Sequence, residues 1–166
     1  MFELRESVGI AAPRERCFLL STSIEIVAQT IGMRAVEAEV ATADGVRRTR
    51  ASGLVQAGDL VRWEGWKFGL PQHHVSLISA YEPCSFFEDR MAAGRFRTFA
   101  HGHEFEEVEG GTRLVDTVRF SLPLGVAGWV AGRVPMTPHI RGLMRRRFAL
   151  LKRIAESEEW RRYIAE

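Results

Sequence analysis

The stretch from Glu82 to Pro123 constrains this chain most, because apolar residues recur at every second position through two segments joined by Gly110-Gly111. Successive side chains of a strand point to opposite faces. Arg95 to Val108 therefore sets Phe99, His101, His103 and Phe105 on one face, and Thr112 to Leu122 does the same for Leu114, Val118, Phe120 and Leu122. One carboxylate, Asp116, intrudes on the second set. Gly110-Gly111 supplies the positive φ of a tight hairpin turn. With the two glycines as the whole loop, Glu109 pairs with Thr112, His103 with Val118 and Phe105 with Asp116. The apolar sets then share a face turned toward the C-terminal helix, and His103 is the diagonal neighbour of Asp116. An apolar sheet face carrying two imidazoles and a carboxylate reads as the lining of a cavity.

The rest of the chain must cover that face, and 166 residues suffice for one domain with a sizeable core and no metal or disulfide staple. A composition of 46% hydrophobic and 27% charged residues is that of a globular protein. A net charge of +2 gives no reason to expect nucleic acid. Neither a secretory leader nor a run of about 18 apolar residues is evident, so the expected location is the cytoplasm, without stable membrane insertion. Cys17 and Cys84 are expected to be free thiols.

Phe2 to Ala11 alternates as a first strand, with Glu6 on its apolar face, and Pro13 opens a short helix from Arg14 to Leu20 that buries Cys17, Phe18 or Leu20. A second short helix follows, with Thr22 and Glu25 as its capping box, Ile24, Val27, Ala28 and Ile31 at helical spacing, and Gly32 as its stop. Turn residues then divide Arg34 to Ala41, Arg47 to Val55, Leu60 to Phe68, His73 to Tyr81 and Ser85 to Met91 into strands. After Pro123-Leu124-Gly125 the pattern becomes helical. Val126 to Val134 is short and glycine-punctuated, and Pro135 and Pro138 interrupt it. A longer amphipathic helix, about His139 to Ala155, carries the stripe Ile140, Leu143, Met144, Phe148, Leu151, Ile154 and Ala155. Trp160 and Tyr163 would tie the tail back to the body.

One strand, two short helices, a run of antiparallel strands and a long last helix is the order of the α+β helix-grip fold. The chain resembles the SRPBCC or START-like (Bet v 1-like) superfamily, in particular bacterial polyketide cyclase/dehydrase-like ligand-binding proteins. The resemblance rests on Gly58-Asp59, Val61, Trp63-Glu64, Phe68-Gly69, Ile78, Pro83, Phe87, Asp89, Met91, Gly94 and Phe96. It continues through His101-x-His103-x-Phe105, Gly111-Thr112, Asp116, Phe120, Pro123-Leu124-Gly125, Arg147, Lys152, Ala155-Glu156-Ser157 and Trp160. It implies a curved antiparallel sheet wrapped around the last helix as a single domain over residues 1–166. Two places depart from that pattern: Trp66-Lys67 stands where a basic or histidine pair is expected, and Pro135 and Pro138 break a helix expected to run on. The scaffold hosts lipid transfer, hormone binding and aromatase/cyclase activity alike, so it does not choose a function.

His101 and His103 share a strand face and could hold a metal together with Asp116. Such pairs more often satisfy buried hydrogen bonds, no fourth ligand is evident, and the reading is no metal and no cofactor. Asp116 amid apolar residues must be paired or protonated, with a structural bond to His103 favoured over acid–base work. Glu6, Glu64, Asp89 and Arg90 are further polar candidates, each read first as a surface or ion-paired residue. The arginines at 141, 145, 146, 147 and 153 read as a solvated helix face. No nucleophile elbow, phosphate loop, zinc signature or dinucleotide fingerprint is present in the sequence. Val126, Trp129 and Val130 read as a flap over the cavity or as a packed helical turn.

The leading expectation is a non-catalytic binder of a small hydrophobic molecule, such as a lipid, isoprenoid or polyketide, held between the sheet and the last helix. Its expected lining is Trp63, Phe87, Met91, Phe99, His101, His103, Phe105, Asp116, Val118, Phe120, Met144 and Phe148. The alternative is a cyclase, aromatase or dehydratase using His103 and Asp116 to move protons. A second alternative is a protein-interaction module that binds no ligand, and a homodimer is compatible with all three.

Overall fold

The computed structural model describes residues 1–67 and 69–164. Along the chain run β1 (Phe2–Ile10), α1 (Arg14–Ser21), α2 (Ile24–Ile31), β2 (Arg34–Val36), β3 (Glu39–Thr42), β4 (Gly45–Arg48), β5 (Leu60–Lys67) and β6 (Leu70–Glu82). They are followed by β7 (Phe86–Ala93), β8 (Thr98–Val108), β9 (Gly111–Ser121), α3 (Gly125–Ala131), a π-helical segment (Gly132–Met136), α4 (Thr137–Ala155) and a short 3₁₀ turn (Glu158–Arg162). Among the described residues, seven strands form an antiparallel sheet in the order β1-β9-β8-β7-β6-β5-β2, while β3 and β4 pair apart from it as a hairpin. The first strand thus closes against the last, and α4 lies across the face they share.

The alternation of β9 places Leu114, Val118 and Phe120 on that inner face, each essentially without solvent contact. Val115 and Thr117 on the outer face are buried too. Arg5 of β1 reaches across β9 to Glu104 of β8 at 3.3 Å. On α4 the spacing of Ile140, Met144, Phe148, Leu151 and Ile154 turns one stripe into the core. Its first half packs on Leu4, Val118 and Phe120. Its second half packs with Phe18, Leu20, Phe87, Phe105 and Trp160. A third cluster joins Ile24 of α2 to Val61, Trp63 and Ile78 of β5 and β6. Trp160 is sandwiched between the guanidinium groups of Arg16 and Arg161, at 4.4 and 4.5 Å. Gln29 donates a 3.1 Å hydrogen bond to the Tyr163 hydroxyl, so the tail is held to the body.

Several local readings need correction. Arg34 to Ala41 is two strands, because Thr49 Oγ1 donates to the Val36 carbonyl and accepts from Ala38 N where the ladder breaks. Arg47 to Val55 is a strand only as far as Arg48; all of β4 is exposed, and the segment beyond it makes isolated bridges at Arg50 and Leu54. Phe68, the expected end of β5, lies outside the described residues. The N-cap of α2 is Ser23, which accepts from Ile26 N, whereas Thr22 closes α1. Glu25 reaches Gly53 N at 2.9 Å and ties α2 to the loop ahead of β5. Gly32 ends α2 in the left-handed region, as its position in the sequence suggested.

Pro135 and Pro138 do not break the last helix. Pro135 falls inside the π-helical segment, and Pro138 is the second residue of α4, directly after that widened turn. The Gly132 carbonyl, next to this widened turn, is capped by both the backbone N–H and the hydroxyl of Thr137. Glycine is required at two places here: a Cβ at Gly128 would collide with the Pro123 carbonyl, and one at Gly132 with the Phe2 ring. Among the described residues no helix is long and apolar enough to cross a membrane.

Candidate functional site

The hairpin of β8 and β9 turns on Glu109-Gly110, with Val108 opposite Gly111. Only Gly110 takes a positive φ, +78°; Gly111 enters the strand because it lies against the Ile10 carbonyl, where no Cβ would fit. The pairing is therefore displaced by two residues from the one expected of a loop made of both glycines. His103 lies directly opposite Asp116, Phe105 opposite Leu114 and His101 opposite Val118. A shift of two keeps every side chain on its face, so the apolar face itself is as read. On the other side of β8, Asp89 of β7 pairs with His101 and Phe87 with His103.

Asp116 is wholly buried, and three groups meet it. His103 Nδ1 lies 2.8 Å from Oδ1, and the Arg147 guanidinium donates to Oδ2 at 2.7 Å. His101 Nε2 is 3.3 Å from Oδ2, in a geometry that makes no hydrogen bond. Burial opposes the charge on Asp116, but Arg147 above all, then the histidines, holds its carboxyl well below the usual range. Arg147, read from sequence as part of the solvated face, is only 5% exposed. The signal was there to find: Arg147 follows Met144 by three residues and precedes Leu151 by four, the spacing of the buried stripe.

Asp89 approaches the other edge of both rings. Its Oδ2 is 3.6 Å from His103 Nε2 and 3.9 Å from His101 Nδ1. Burial pushes Asp89 up, but the two imidazoles outweigh it and the carboxyl titrates below its ordinary value. His101 is pushed down by burial first and by neighbouring His103 second, which favours its neutral form at neutral pH. The two rings stand 3.9 Å apart between centroids, and the Phe87 ring lies 4.2 Å from His103, tilted by 30°.

Beside this cluster opens a cavity of about 380 Å³. Trp63, Ser76, Asp89, Phe99 and His101 form its sheet wall, α2 contributes Val27 and Ile31, and Met136, His139 and Ile140 close it from the helix side. Its walls are mostly apolar, and its size is within the range of small-molecule sites, about 300–1,000 Å³. His74 lines it as well, its ring 3.1 Å from Ser76 Oγ and its pKa lowered by burial.

Of the expected lining, Trp63, Phe99 and His101 face this cavity. Phe87 and His103 border a separate small void of about 60 Å³ next to Asp89. Phe105, Asp116, Val118, Phe120, Met144 and Phe148 are packed in the core and Met91 is off the wall, because α4 presses directly on β8 and β9 and leaves room only toward β5, β6 and α2. Glu6 pairs with Arg141 at 2.9 Å, Glu64 with Arg62 at 3.0 Å, and Arg90 with Glu88 at 2.6 Å, so these three are ion-paired residues. Trp66 is 70% exposed and takes no part in the wall. The residues that sequence reasoning missed on the wall include His74 and Ser76 of β6 as well as side chains from α2 and around the start of α4, two helical segments whose distance from the sheet no local pattern encodes.

No protein-family model matches the sequence, and no curated protein matches it. The structure is similar to that of a protein from Thermus thermophilus, with a TM-score of 0.65 and 18% identity over 90% of this chain and 97% of that one. It is also similar to a START superfamily protein from Mycobacterium smegmatis, with a TM-score of 0.64 and 12% identity over 92% and 98% of the two chains. The fold is START-like. A major latex-like protein from Panax ginseng shares the START-like architecture, with a TM-score of 0.58 and 12% identity over 89% and 95%. The likeness is one of fold, and it accounts for the helix grip of α4 by the sheet.

Proposed function

We propose that this START-like protein binds a small hydrophobic molecule, of lipid, isoprenoid or polyketide-like character, in the cavity between β5–β8, α2 and the start of α4. The observation that carries this reading is the 380 Å³ apolar cavity with His74, Ser76, Asp89 and His101 placed along one wall. Apolar walls supply affinity by removing hydrocarbon from water, at about 25 cal/mol per Å² buried, and a few polar groups fix orientation. Asp116 and His103 take a structural role in this proposal, since Arg147 occupies the carboxylate that a proton-transfer pair would need free.

Native mass spectrometry of the purified protein, followed by organic extraction, tests it. The expected result is a co-purifying apolar molecule, or saturable uptake of a hydrophobic fluorescent probe, that Ile31→Trp abolishes without loss of the folded circular dichroism spectrum. Ile31 lines the cavity from α2, so the larger ring takes its volume. An empty protein that also refuses the probe would leave the interaction module as the better reading, and turnover of a bound molecule would move the protein to the enzyme class.

A further inference from the structure

We propose that Asp89, His101 and His103 form a binding site for one divalent transition-metal ion in the wall of the cavity. Each of the three offers one ligand atom, and these atoms lie within 4.8 Å of one another; Asp89 Oδ2 faces both His103 Nε2 and His101 Nδ1. Ligand atoms bonded to one ion at about 2.0–2.1 Å in tetrahedral geometry stand roughly 3.3 Å apart. The observed separations from Asp89 Oδ2, 3.6 and 3.9 Å, need only small side-chain rotations to reach that.

Asp116 supports the site from behind. His103 Nδ1 donates to Asp116 Oδ1, and Nε2 is the nitrogen turned toward Asp89. A carboxylate that fixes the far nitrogen of a ligating imidazole is the usual support of a histidine–metal bond. His101 turns Nδ1 to Asp89, while its Nε2 stands 3.3 Å from Asp116 Oδ2 without a hydrogen bond. Asp116 itself is not available as a ligand, because Arg147 holds its second oxygen. Asp89 differs, since it faces its two nitrogen neighbours at distances too long for a good hydrogen bond. Two such nitrogens and a carboxylate that approaches both without a short bond to either are a donor set completed by a cation.

Two imidazoles and one carboxylate suit Zn²⁺, Co²⁺, Ni²⁺ or Fe²⁺ and not Mg²⁺ or Ca²⁺, which take oxygen ligands. Three protein ligands leave at least one position for water or a donor atom of a bound molecule. That position opens toward the cavity, whose wall includes Asp89 and His101. The inference needs the cluster alone and stands whether or not a hydrophobic ligand is found.

The test uses full-length protein made without a histidine tag and stripped with chelator, titrated with Zn²⁺ or Co²⁺ alone. Calorimetry is expected to show one equivalent bound, the Co²⁺ form to show the visible absorption of a low-coordinate histidine site, and Zn²⁺ to raise the melting temperature. Asp89→Asn and His101→Gln should each weaken binding about 100-fold or more while the metal-free proteins melt as the parent does. His73→Gln, on the cavity rim, should change nothing. Absence of saturable binding by the folded parent would overturn the proposal. So would equal affinity in an Asp89→Asn/His101→Gln double variant, or loss of binding in His73→Gln.

Discussion

Arg147 is the residue on which the interior polar cluster depends. It places a permanent positive charge on the buried stripe of α4, 2.7 Å from a carboxylate without solvent contact. Removing one member of such a pair leaves the other charge buried alone, which costs about 3–5 kcal/mol, whereas replacing both is often neutral. Arg147→Met should therefore lower unfolding free energy in urea by about 3–5 kcal/mol, and Asp116→Asn/Arg147→Met should be clearly more stable than Arg147→Met alone. An additive cycle would mean that the two charges do not depend on each other. The carboxylate was legible as the one acidic residue on the apolar face of β9. The arginine was hidden because Arg145 and Arg146 beside it are exposed, and three consecutive arginines read as one solvated run although the helical period assigns the third to the core. Asp89 was legible as a candidate, but its approach to both imidazoles follows from the pairing of β7 with β8, which composition does not encode.

At the scale of elements, strand and helix types followed from periodicity along β1, β8, β9 and α4, and the least legible stretch was residues 34–55. The β3–β4 hairpin is mostly exposed, so neither its ends nor its partner is set by a buried pattern. The helical end of the chain shows the opposite case, in which strong local signals were overruled. Two prolines suggested a break, yet a π-helical turn at the first and a helix start at the second keep the path continuous. Two glycines in these helices should respond oppositely to alanine. Gly128→Ala places a methyl against the Pro123 carbonyl and should cost about 1–3 kcal/mol. Gly142→Ala, in exposed α4 with nothing within 4 Å of the new Cβ, should add about 0.5–1 kcal/mol through helix propensity. Chemical denaturation of the two variants checks both signs. Equal effects would show that the tight approach of α3 to Pro123 is absent in solution.

Across the whole molecule, stability is expected to be uneven. The ladder of β8 and β9 and the second half of α4 share the densest buried packing, whereas α3 carries exposed Val126, Trp129 and Val130 and β3–β4 stands apart from the sheet. Hydrogen-exchange mass spectrometry should find β8, β9 and residues 144–155 protected longest, with 39–48 and 125–136 exchanging first. Uniform protection would contradict this division. The sequence by itself determined the order of elements, the inward face of β1, β8 and β9, and the apolar stripe of α4, because side-chain parity in a strand and the 3.6-residue helical turn are local properties. Only the tertiary structure decided the two-residue displacement of the hairpin, the pairing of Arg147 with Asp116 and the position of the cavity. The first goes with the close approach of Gly111 to the Ile10 carbonyl, and the other two depend on how closely α4 settles on β8 and β9: contact there fills the space under Val118 and Phe120, and the remaining volume opens beside Trp63, Phe99 and His101.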